Sequence, residues 1–377
     1  MRIGLDGIPL GELKTGVGHY TCELAHALAC LAPEDEFELV SPYPYLNGDE
    51  PKRAVPPNLR AVQAKVDRIR RRRWWSVGLP LYVSRASFSL FHGTNYDVPL
   101  WNRCRTIVTI HDLSSFLYPE THEQHLAQRA RRRLPRMARA ATKIITPTER
   151  VRSEVWEHLG VTPDKVFAVP EAPRRSFRRV TPAETISVRR RLKIEDDFIL
   201  FVGTIEPRKN LLTLARAFDD IYRTTSLRPQ LVIAGKEGWL TDPFFAYLKS
   251  VNIRERMRFT GYLCDDDLRA LYSSCRAFVY PSLYEGFGLP LLEAMACGAP
   301  VITSRIPSIM ETAGTAARFI SPTDFRDLAQ GIIRVLEDGS EWDYRSSAGL
   351  QRAAEFSWER TASATLNVYR QVLAEEK

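Results

Sequence analysis

The chain has 377 residues, of which 44% are hydrophobic and 26% are charged. This length exceeds one ordinary hydrophobic core and predicts two domains, while the composition excludes a collagen-like, disordered or low-complexity protein. The net charge of +8 comes from the first half, because residues 1–180 hold 28 Lys and Arg against 19 Asp and Glu, and the remainder holds 25 against 26. This asymmetry predicts an anionic partner for the first half.

Neither the first residues nor the apolar runs indicate export or membrane insertion. The opening MRIGLD leads directly into a strand-like segment without the apolar core of a secretory signal, and no apolar run approaches the roughly 18 residues of a spanning helix. The six cysteines include no Cys-x-x-Cys pair and lie among apolar neighbours, which favours buried, reduced thiols. His122 and His125 lack the zincin spacing, so we predict no metal site there. These features predict a cytosolic protein.

Runs rich in Val, Ile and Phe alternate with longer amphipathic segments along the whole chain, a pattern typical of parallel sheets covered by helices. The predicted strands of the first half are Ile3–Leu5, Glu36–Ser41, Ser89–His92, Thr106–His111 and Lys143–Thr146. Those of the second half are Phe198–Val202, Gln230–Ala234, Met257–Thr260, Ala277–Tyr280 and Pro300–Thr303. We therefore predict an α/β fold of two Rossmann-like, doubly wound domains facing across a cleft, with ligands at the carboxyl ends of the strands.

The stretch PEAPRRSFRRVTP, from Pro170 to Pro182, interrupts this alternation with prolines and arginines. The sequence therefore predicts a first domain at residues 1–172 and a second at residues 173–357. A final helical pattern at about residues 358–377 is expected to pack back on the first domain.

Gly16 and Gly18 follow the first predicted strand and precede the helical segment His19–Leu31. Amide groups at a helix N-terminus attract anions, and glycine lets a phosphate or a sugar approach the backbone closely. A plain tight turn is the alternative explanation.

The segment RIRRRRWWS combines five arginines with two tryptophans. It contains Arg70, Arg71, Arg72, Arg73, Trp74 and Trp75, and a second basic run follows at Arg129–Arg139 in the same predicted domain. A solvated basic face is the alternative, but indole rings beside arginines suit a boundary with anionic lipid headgroups. We therefore predict that the first domain docks on an anionic membrane surface.

Polar residues follow two further predicted strands. His111 ends the strand RTIVTI, where a sheet delivers a side chain to a ligand, although a hydrogen-bonded core histidine is the alternative. Arg208 and Lys209 follow the first strand of the second half and can neutralise a diphosphate, the arginine by bidentate hydrogen bonds and the lysine as a point charge. Because a helix N-terminus disfavours cations, two of them in succession need a reason such as phosphate binding.

The stretch YEGFGLPLLE places two glutamates around a glycine-rich turn. Gly286 and Gly288 permit a backbone that aims several amides at one point, and Pro290 suits the first turn of a helix. Glu285 lies on the loop and Glu293 about one turn into the helix, where carboxylates accept hydrogen bonds from sugar and ribose hydroxyls. An ordinary first-turn glutamate is the alternative explanation of Glu293.

Together these segments resemble a known family. EGFGLPLLE, with VGTIEPRKN upstream and GAPVITS downstream, is similar to the Glu-x7-Glu element of the retaining glycosyltransferases of family 4, which have the GT-B fold. TGVGHYT, FHGTNYDVP and TIHDL resemble N-terminal segments of a bacterial subgroup that contains mannosyltransferases of polysaccharide assembly. The resemblance covers nearly the whole chain.

The resemblance implies a role for each matching residue. Glu285 would hold hydroxyls of the donor sugar, Glu293 would hold the ribose diol, and His111 would contact the sugar being transferred. Arg208 and Lys209 would bind the diphosphate. The amides of Phe287, Gly288 and Leu289 would meet the sugar and the phosphates, and Gly16 and Gly18 would approach the donor. The backbone at Tyr262 or Leu263 would meet the nucleobase. Many family members carry Arg where this chain has Thr204, which would leave more of the phosphate charge to the Arg208–Lys209 pair.

The implied reaction moves a sugar from a nucleotide diphosphate donor to a saccharide or lipid-linked saccharide acceptor. The subgroup implies mannose from GDP-mannose, with UDP-sugars as alternative donors. Backbone amides and two cations would stabilise the charge that grows on the leaving diphosphate, so we expect neither a metal nor another cofactor. Same-face attack and double displacement through an enzyme carboxylate are both open.

Two other classes of protein share this architecture. A nicotinamide-dependent oxidoreductase would need a glycine fingerprint followed by an acidic residue about 20 positions on, and none is clear. A non-catalytic nucleotide-sugar-binding or scaffold protein would keep the diphosphate site and dispense with His111. We expect no nucleic-acid partner, and a location in the cytoplasm or on the inner face of the membrane.

Overall fold

The computed structural model describes residues 1–11, 15–45, 54–101, 104–194 and 197–374. The chain forms two compact units, the first comprising Met1–Leu113, Gln128–Glu171 and Ser357–Lys377, and the second comprising Ser114–Ala127 and Ala172–Phe356. The chain thus passes between the units close to the predicted boundary at residue 172. The short segment Ser114–Ala127, which the sequence analysis placed in the first domain, belongs to the second unit.

Strands and helices alternate throughout. The strands are β1 (Arg2–Asp6), β2 (Glu36–Ser41), β3 (Leu59–Gln63), β4 (Leu90–Gly93), β5 (Arg105–Thr109), β6 (Lys143–Thr146), β7 (Val166–Ala168), β8 (Phe198–Val202), β9 (Gln230–Ala234), β10 (Met257–Gly261), β11 (Ala277–Tyr280), β12 (Val301–Ser304) and β13 (Arg318–Ile320). The helices are α1 (Gly16–Leu31), α2 (Arg68–Arg72), α3 (Leu79–Ala86), α4 (Ser114–Leu117), α5 (Gln124–Ala140), α6 (Glu149–Leu159), α7 (Pro182–Arg191), α8 (Leu211–Thr224), α9 (Asp242–Ser250), α10 (Asp265–Ser274), α11 (Leu289–Ala296), α12 (Pro307–Ala313), α13 (Phe325–Glu337), α14 (Gly339–Ala354) and α15 (Trp358–Ala374).

The first unit is built on a parallel sheet of order β3-β2-β1-β4-β5-β6-β7. The strand order reverses between β1 and β4, which is the arrangement of a doubly wound Rossmann-like sheet. Helix α15, the C-terminal helix of the sequence prediction, packs against α1 in this unit. Residues 375–377 of that predicted helix lie outside the described residues.

The second unit repeats this design with the order β10-β9-β8-β11-β12-β13, again with parallel pairs throughout. Its central strand β8, FILFV, is buried from Phe198 to Phe201, as expected for a parallel sheet with helices on both faces. The predicted fold of two Rossmann-like α/β domains is confirmed. In this sheet the strand order reverses between β8 and β11, so the loops after these two strands form the expected ligand site of the unit.

All six cysteines are free thiols, as predicted. Cys275 and Cys297 are buried, but Cys30 and Cys264 are exposed, so the prediction that the thiols are buried is wrong for these two. Cys30 lies near the end of α1, and Cys264 immediately precedes α10 at the edge of the second sheet. Among the described residues, no group of three or more His, Cys, Asp or Glu side chains is arranged to hold a metal ion.

Candidate active site

The loops after β8 and β11 bring together four charged side chains in the second unit. Arg208 and Lys209 lie on a 3-10 turn, Pro207–Lys209, that precedes α8. Glu285 follows β11, and its carboxylate accepts hydrogen bonds from Arg208 Nη1 at 3.0 Å and from Lys209 Nζ at 2.5 Å. Lys209 also donates to the Tyr280 hydroxyl at 2.7 Å. The structure thus joins the two predicted cations directly to the first predicted glutamate.

A further carboxylate, absent from the sequence analysis, completes this group. Glu206 accepts a hydrogen bond from Arg208 Nη2 at 2.6 Å, so two carboxylates balance the two cations. The two cations before α8 are therefore balanced within the protein, because each of them is paired with a carboxylate. We call Glu206, Arg208, Lys209 and Glu285 the charge cluster.

The charge cluster is largely removed from water. Lys209 is 8% exposed and Glu285 is 6% exposed. Burial alone would raise the pKa of Glu285, but Lys209 and Arg208 outweigh that effect and bring its pKa to about 2. Glu285 is therefore an anion at any physiological pH, fixed by two donors. Its backbone carbonyl also accepts a hydrogen bond from the Ser308 hydroxyl, which anchors the loop to α12.

Gly288 shapes the turn between Glu285 and α11. It is the N-cap of α11 with φ +92°, a left-handed conformation that L side chains rarely adopt. A Cβ atom at this position would lie 2.6 Å from Ile309 Cδ1, so a side chain here would strain the backbone and also force the end of the Ile309 side chain to move. Phe287 is buried on one side of it, and Leu289 begins the helix on the other. This places the backbone predicted to meet sugar and phosphates at a helix N-terminus, where amides are free of helical partners.

Glu293 is the fifth residue of α11 and is buried. Its two oxygens accept hydrogen bonds from one side chain, Arg174, at 2.6 Å from Nε and 2.8 Å from Nη2. Nothing in the sequence pattern indicated Arg174, which lies in the Pro- and Arg-rich stretch interpreted only as a domain boundary. Glu293 is therefore held by a bidentate ion pair and is not an unpaired first-turn glutamate.

Tyr262 and Leu263 follow β10, which ends at Gly261 with φ +69°. Tyr262 is 50% exposed, whereas Leu263 is 8% exposed and belongs to the core of the unit. Of the two residues predicted beside the nucleobase, Tyr262 thus presents the more accessible surface.

In the first unit, Gly16 is the first residue of α1 and Gly18 lies in its first turn. The helix begins three residues earlier than the predicted segment. Among the described residues, a Cβ atom on Gly16 would meet nothing within 4 Å, so their packing does not require glycine there. Gly16 is exposed and Gly18 is buried, and the helix start is therefore open at Gly16.

His111 lies beyond the end of β5, which stops at Thr109, so the prediction that it ends the strand is wrong by two residues. Both ring nitrogens face acceptors: Nδ1 is 2.9 Å from Glu171 Oε1 and Nε2 is 2.9 Å from the Thr94 carbonyl oxygen. A neutral imidazole has one N–H, so two acceptors favour the imidazolium. Burial opposes this charge, but the Glu171 and Thr94 contacts outweigh it and raise the pKa of His111. No local sequence pattern predicted the role of Glu171.

The basic segment before α3 differs from its prediction in one respect. Arg70–Arg73 are exposed, as a docking surface requires. Trp74, however, is 3% exposed and packs in the core with Val83 and Phe91, and Trp75 is partly buried beside it. Because the Trp74 ring lies in this core, the prediction that the paired tryptophans face a lipid boundary is wrong for Trp74.

The sequence matches two family profiles. Residues 14–172 match "Glycosyltransferase Family 4", and residues 183–352 match "Glycosyl transferases group 1". Each match coincides with one of the two halves of the chain.

Relatives extend over the whole chain. O-antigen chain mannosyltransferase B of Escherichia coli is 30% identical over 98% of this chain and 100% of its own length. Among solved structures, sucrose-phosphate synthase from Thermosynechococcus elongatus is 21% identical with a TM-score of 0.78, covering 99% of both chains. HepE from Anabaena, solved with UDP-glucose, is 16% identical with a TM-score of 0.73, covering 98% of this chain and 99% of its own. The chain therefore belongs to the glycosyltransferases of family 4.

Proposed function

We propose that this glycosyltransferase moves mannose from GDP-mannose to a saccharide or lipid-linked saccharide acceptor during polysaccharide assembly, with retention of configuration. The observation that carries the proposal is the charge cluster beside the start of α11, at the strand-order reversal of the second sheet. The name of the Escherichia coli relative supports mannose and an O-antigen chain. UDP-glucose bound to HepE supports a nucleotide-sugar donor for this fold, with UDP-sugars as the alternative.

The charge cluster can stabilise a leaving nucleoside diphosphate. Its own charges balance, and the incoming diphosphate brings the excess negative charge to the amides at the α11 N-terminus and to Arg208 and Lys209. As the glycosidic bond breaks, negative charge grows on the phosphate oxygen, and donors already fixed in place stabilise this charge without reorganisation. We assign the diphosphate to these groups without a metal or other cofactor.

The carboxylates take the hydroxyl groups of the donor in this proposal. Glu285 holds hydroxyls of the transferred sugar and Glu293 holds the ribose diol, while Tyr262 and Leu263 lie beside the nucleobase. His111, paired with Glu171 in the first unit, contacts the transferred sugar. Gly16 at the exposed start of α1 gives the donor close access to the backbone.

A panel of nucleotide sugars tests the donor. A bound donor stabilises the folded protein as the logarithm of its saturation, so the correct one gives the largest rise in melting temperature. We expect GDP-mannose to give that rise and GDP to be released slowly from it without an acceptor, with EDTA having no effect. Stabilisation without hydrolysis or transfer would support the non-catalytic binder instead, and loss of activity in EDTA would refute the metal-free assignment.

We further propose that the first unit docks on an anionic membrane surface. The guanidinium of Arg133, in α5, lies 6.0 Å from the Trp75 ring, so the second basic run adjoins the first. Ile69 is 73% exposed and Trp101 is 50% exposed, and Trp101 Nε1 donates to the Ser76 carbonyl at 2.8 Å. These two apolar side chains, rather than Trp74, accompany the arginines at the surface. No helix in the described part of the chain is both long and apolar enough to cross a bilayer.

Vesicle co-sedimentation tests the docking surface. Each arginine near an anionic leaflet contributes about 1 kcal/mol, so Arg70–Arg73 together hold the protein reversibly and in a salt-dependent manner. Replacing these four with Ser should abolish binding to vesicles that contain phosphatidylglycerol. A control variant removes four exposed cations of the second unit, namely Arg190, Lys193, Arg223 and Lys249. Equal losses in both variants, or binding to neutral vesicles, would refute the proposal.

A further inference from the structure

Arg174 lies in the second unit, two residues after the unit resumes at Ala172, and its side chain is buried with 8% of the residue exposed. It forms the bidentate pair with Glu293, its Nη1 contacts Asp265 at the start of α10, and its guanidinium carbon lies 4.1 Å from the centre of the Phe177 ring. The guanidinium is thus fixed by two carboxylates at its edges and an aromatic ring on its face.

This geometry leaves Glu293 with hydrogen-bonding capacity to spare. Each carboxylate oxygen has about two lone-pair sites, and Arg174 uses one on each oxygen. The two parallel N–H bonds also fix the plane of the carboxylate. Glu293 therefore presents two acceptor sites with a set separation and direction, which is the requirement for holding two neighbouring hydroxyls.

The charge of the group selects the kind of ligand. Arg174 carries one positive charge, and Glu293 and Asp265 together carry two negative charges, so the group has a net charge of −1. Such a group repels phosphate and favours neutral hydrogen-bond donors such as hydroxyls. The charge cluster, in contrast, is balanced and includes two cations. The two groups thus suit different parts of one nucleotide.

We propose that Arg174 is a positioning residue for the ribose of the donor: it orients the Glu293 carboxylate so that its unused lone pairs accept the 2′ and 3′ hydroxyls. This inference rests on the proposed nucleotide-sugar donor. Arg174 itself does not contact the donor in this arrangement. A lysine cannot replace it, because a single ammonium does not fix the carboxylate plane as the planar guanidinium does.

Nucleotide binding provides the test. Calorimetry with GDP, UDP and ADP first identifies the nucleoside diphosphate that wild type binds, and the same nucleotide lacking the 2′ hydroxyl is then compared. A hydrogen bond to a charged group predicts that wild type prefers the ribonucleotide by about tenfold or more. Arg174→Gln and Arg174→Lys should reduce this preference to about twofold or less, because Glu293 loses its fixed plane. Arg175→Gln, the neighbouring and exposed arginine, is the control and should keep the preference.

The outcomes separate the inference from the proposed function. If wild type binds none of the three diphosphates, the proposed donor site is wrong. If wild type binds one of them without preferring the ribose form, or if Arg174→Lys keeps the full preference, the role of Arg174 is wrong and the donor site stands. A purely structural role would lower the melting temperature of the variants and leave the preference unchanged. Because Arg174→Lys retains the positive charge, it allows the ribose preference to be measured even if Arg174→Gln does not fold.

Discussion

Replacing Lys209 with Met removes one of the two cations that hold Glu285. Both residues are buried and their charged atoms are 2.5 Å apart. Breaking a buried ion pair from one side typically costs about 3–5 kcal/mol, because the other charge is left uncompensated. Arg208 still donates to Glu285 at 3.0 Å, so we expect the lower end, about 3 kcal/mol. For a unit of this size the melting temperature should then fall by roughly 6–12 °C.

Thermal denaturation of four proteins tests this reasoning: wild type, Lys209→Met, Glu285→Gln and the double variant. Because the two side chains interact directly, the double variant should lose less stability than the sum of the single variants. Lys193→Met, at an exposed position, is the matched control and should change the melting temperature little. A fall of less than about 2 °C for Lys209→Met, which corresponds to under about 1 kcal/mol, would refute the buried pair. Strict additivity in the double variant would do the same.

Three further expectations concern the pH dependence of the melting temperature and the steady-state kinetics. The pKa of His111 is raised by Glu171, so protonated His111 should stabilise the fold fully below about pH 6.5, and this contribution should be lost as the pH rises through the raised pKa. Glu171→Gln should make the melting temperature depend less on pH in this range. Burial raises the pKa of Asp6 to about 8, so the fold loses stability as the pH rises from about 4 towards 8, where the unfolded chain ionises more readily. Asp6→Asn should therefore raise the melting temperature at pH 8 and change it little at pH 4. In steady-state kinetics, Glu285→Gln should mainly lower kcat and Glu293→Gln should mainly raise the KM for the donor.

Each of these expectations has a clear contrary result. An unchanged pH profile in Glu171→Gln would show that His111 is not held as an imidazolium. A lower melting temperature for Asp6→Asn at pH 8 would show that the Asp6 carboxyl is ionised and satisfied in the fold. Equal increases in KM with unchanged kcat for Glu285→Gln and Glu293→Gln would remove the distinction between a reacting sugar and a ribose contact.

The fold could be predicted from sequence wherever strands are buried on both faces. Central strands such as Phe198–Val202 are apolar runs, and their bounds agree with the prediction to the residue. The strands that were missed, Leu59–Gln63, Val166–Ala168 and Arg318–Ile320, all lie at sheet edges. An edge strand has one neighbour and can be short or half-exposed, so it leaves no long apolar run.

The candidate site was less predictable, because a pattern along the chain does not show which charges pair across loops. The sequence located Arg208, Lys209 and Glu285, but not that they bind each other. Glu171 and Arg174 lie 60 and 119 residues from the side chains that they hold, and no local spacing indicates such partners. Trp74 shows the opposite error, since a tryptophan beside arginines reads as an exposed boundary residue whereas its neighbours in space make it part of the core.

Transfer of labelled mannose from GDP-mannose tests the account most directly. The protein is incubated with the donor and a mannose-terminated oligosaccharide, and the product is analysed by mass and by the configuration of the new linkage. We predict an oligosaccharide longer by one mannose, an α linkage that retains the donor's configuration, release of GDP, and loss of transfer in Arg208→Ala/Lys209→Ala. Binding of GDP-mannose without any GDP release, with or without acceptor, or near-normal transfer by that double variant, would contradict it.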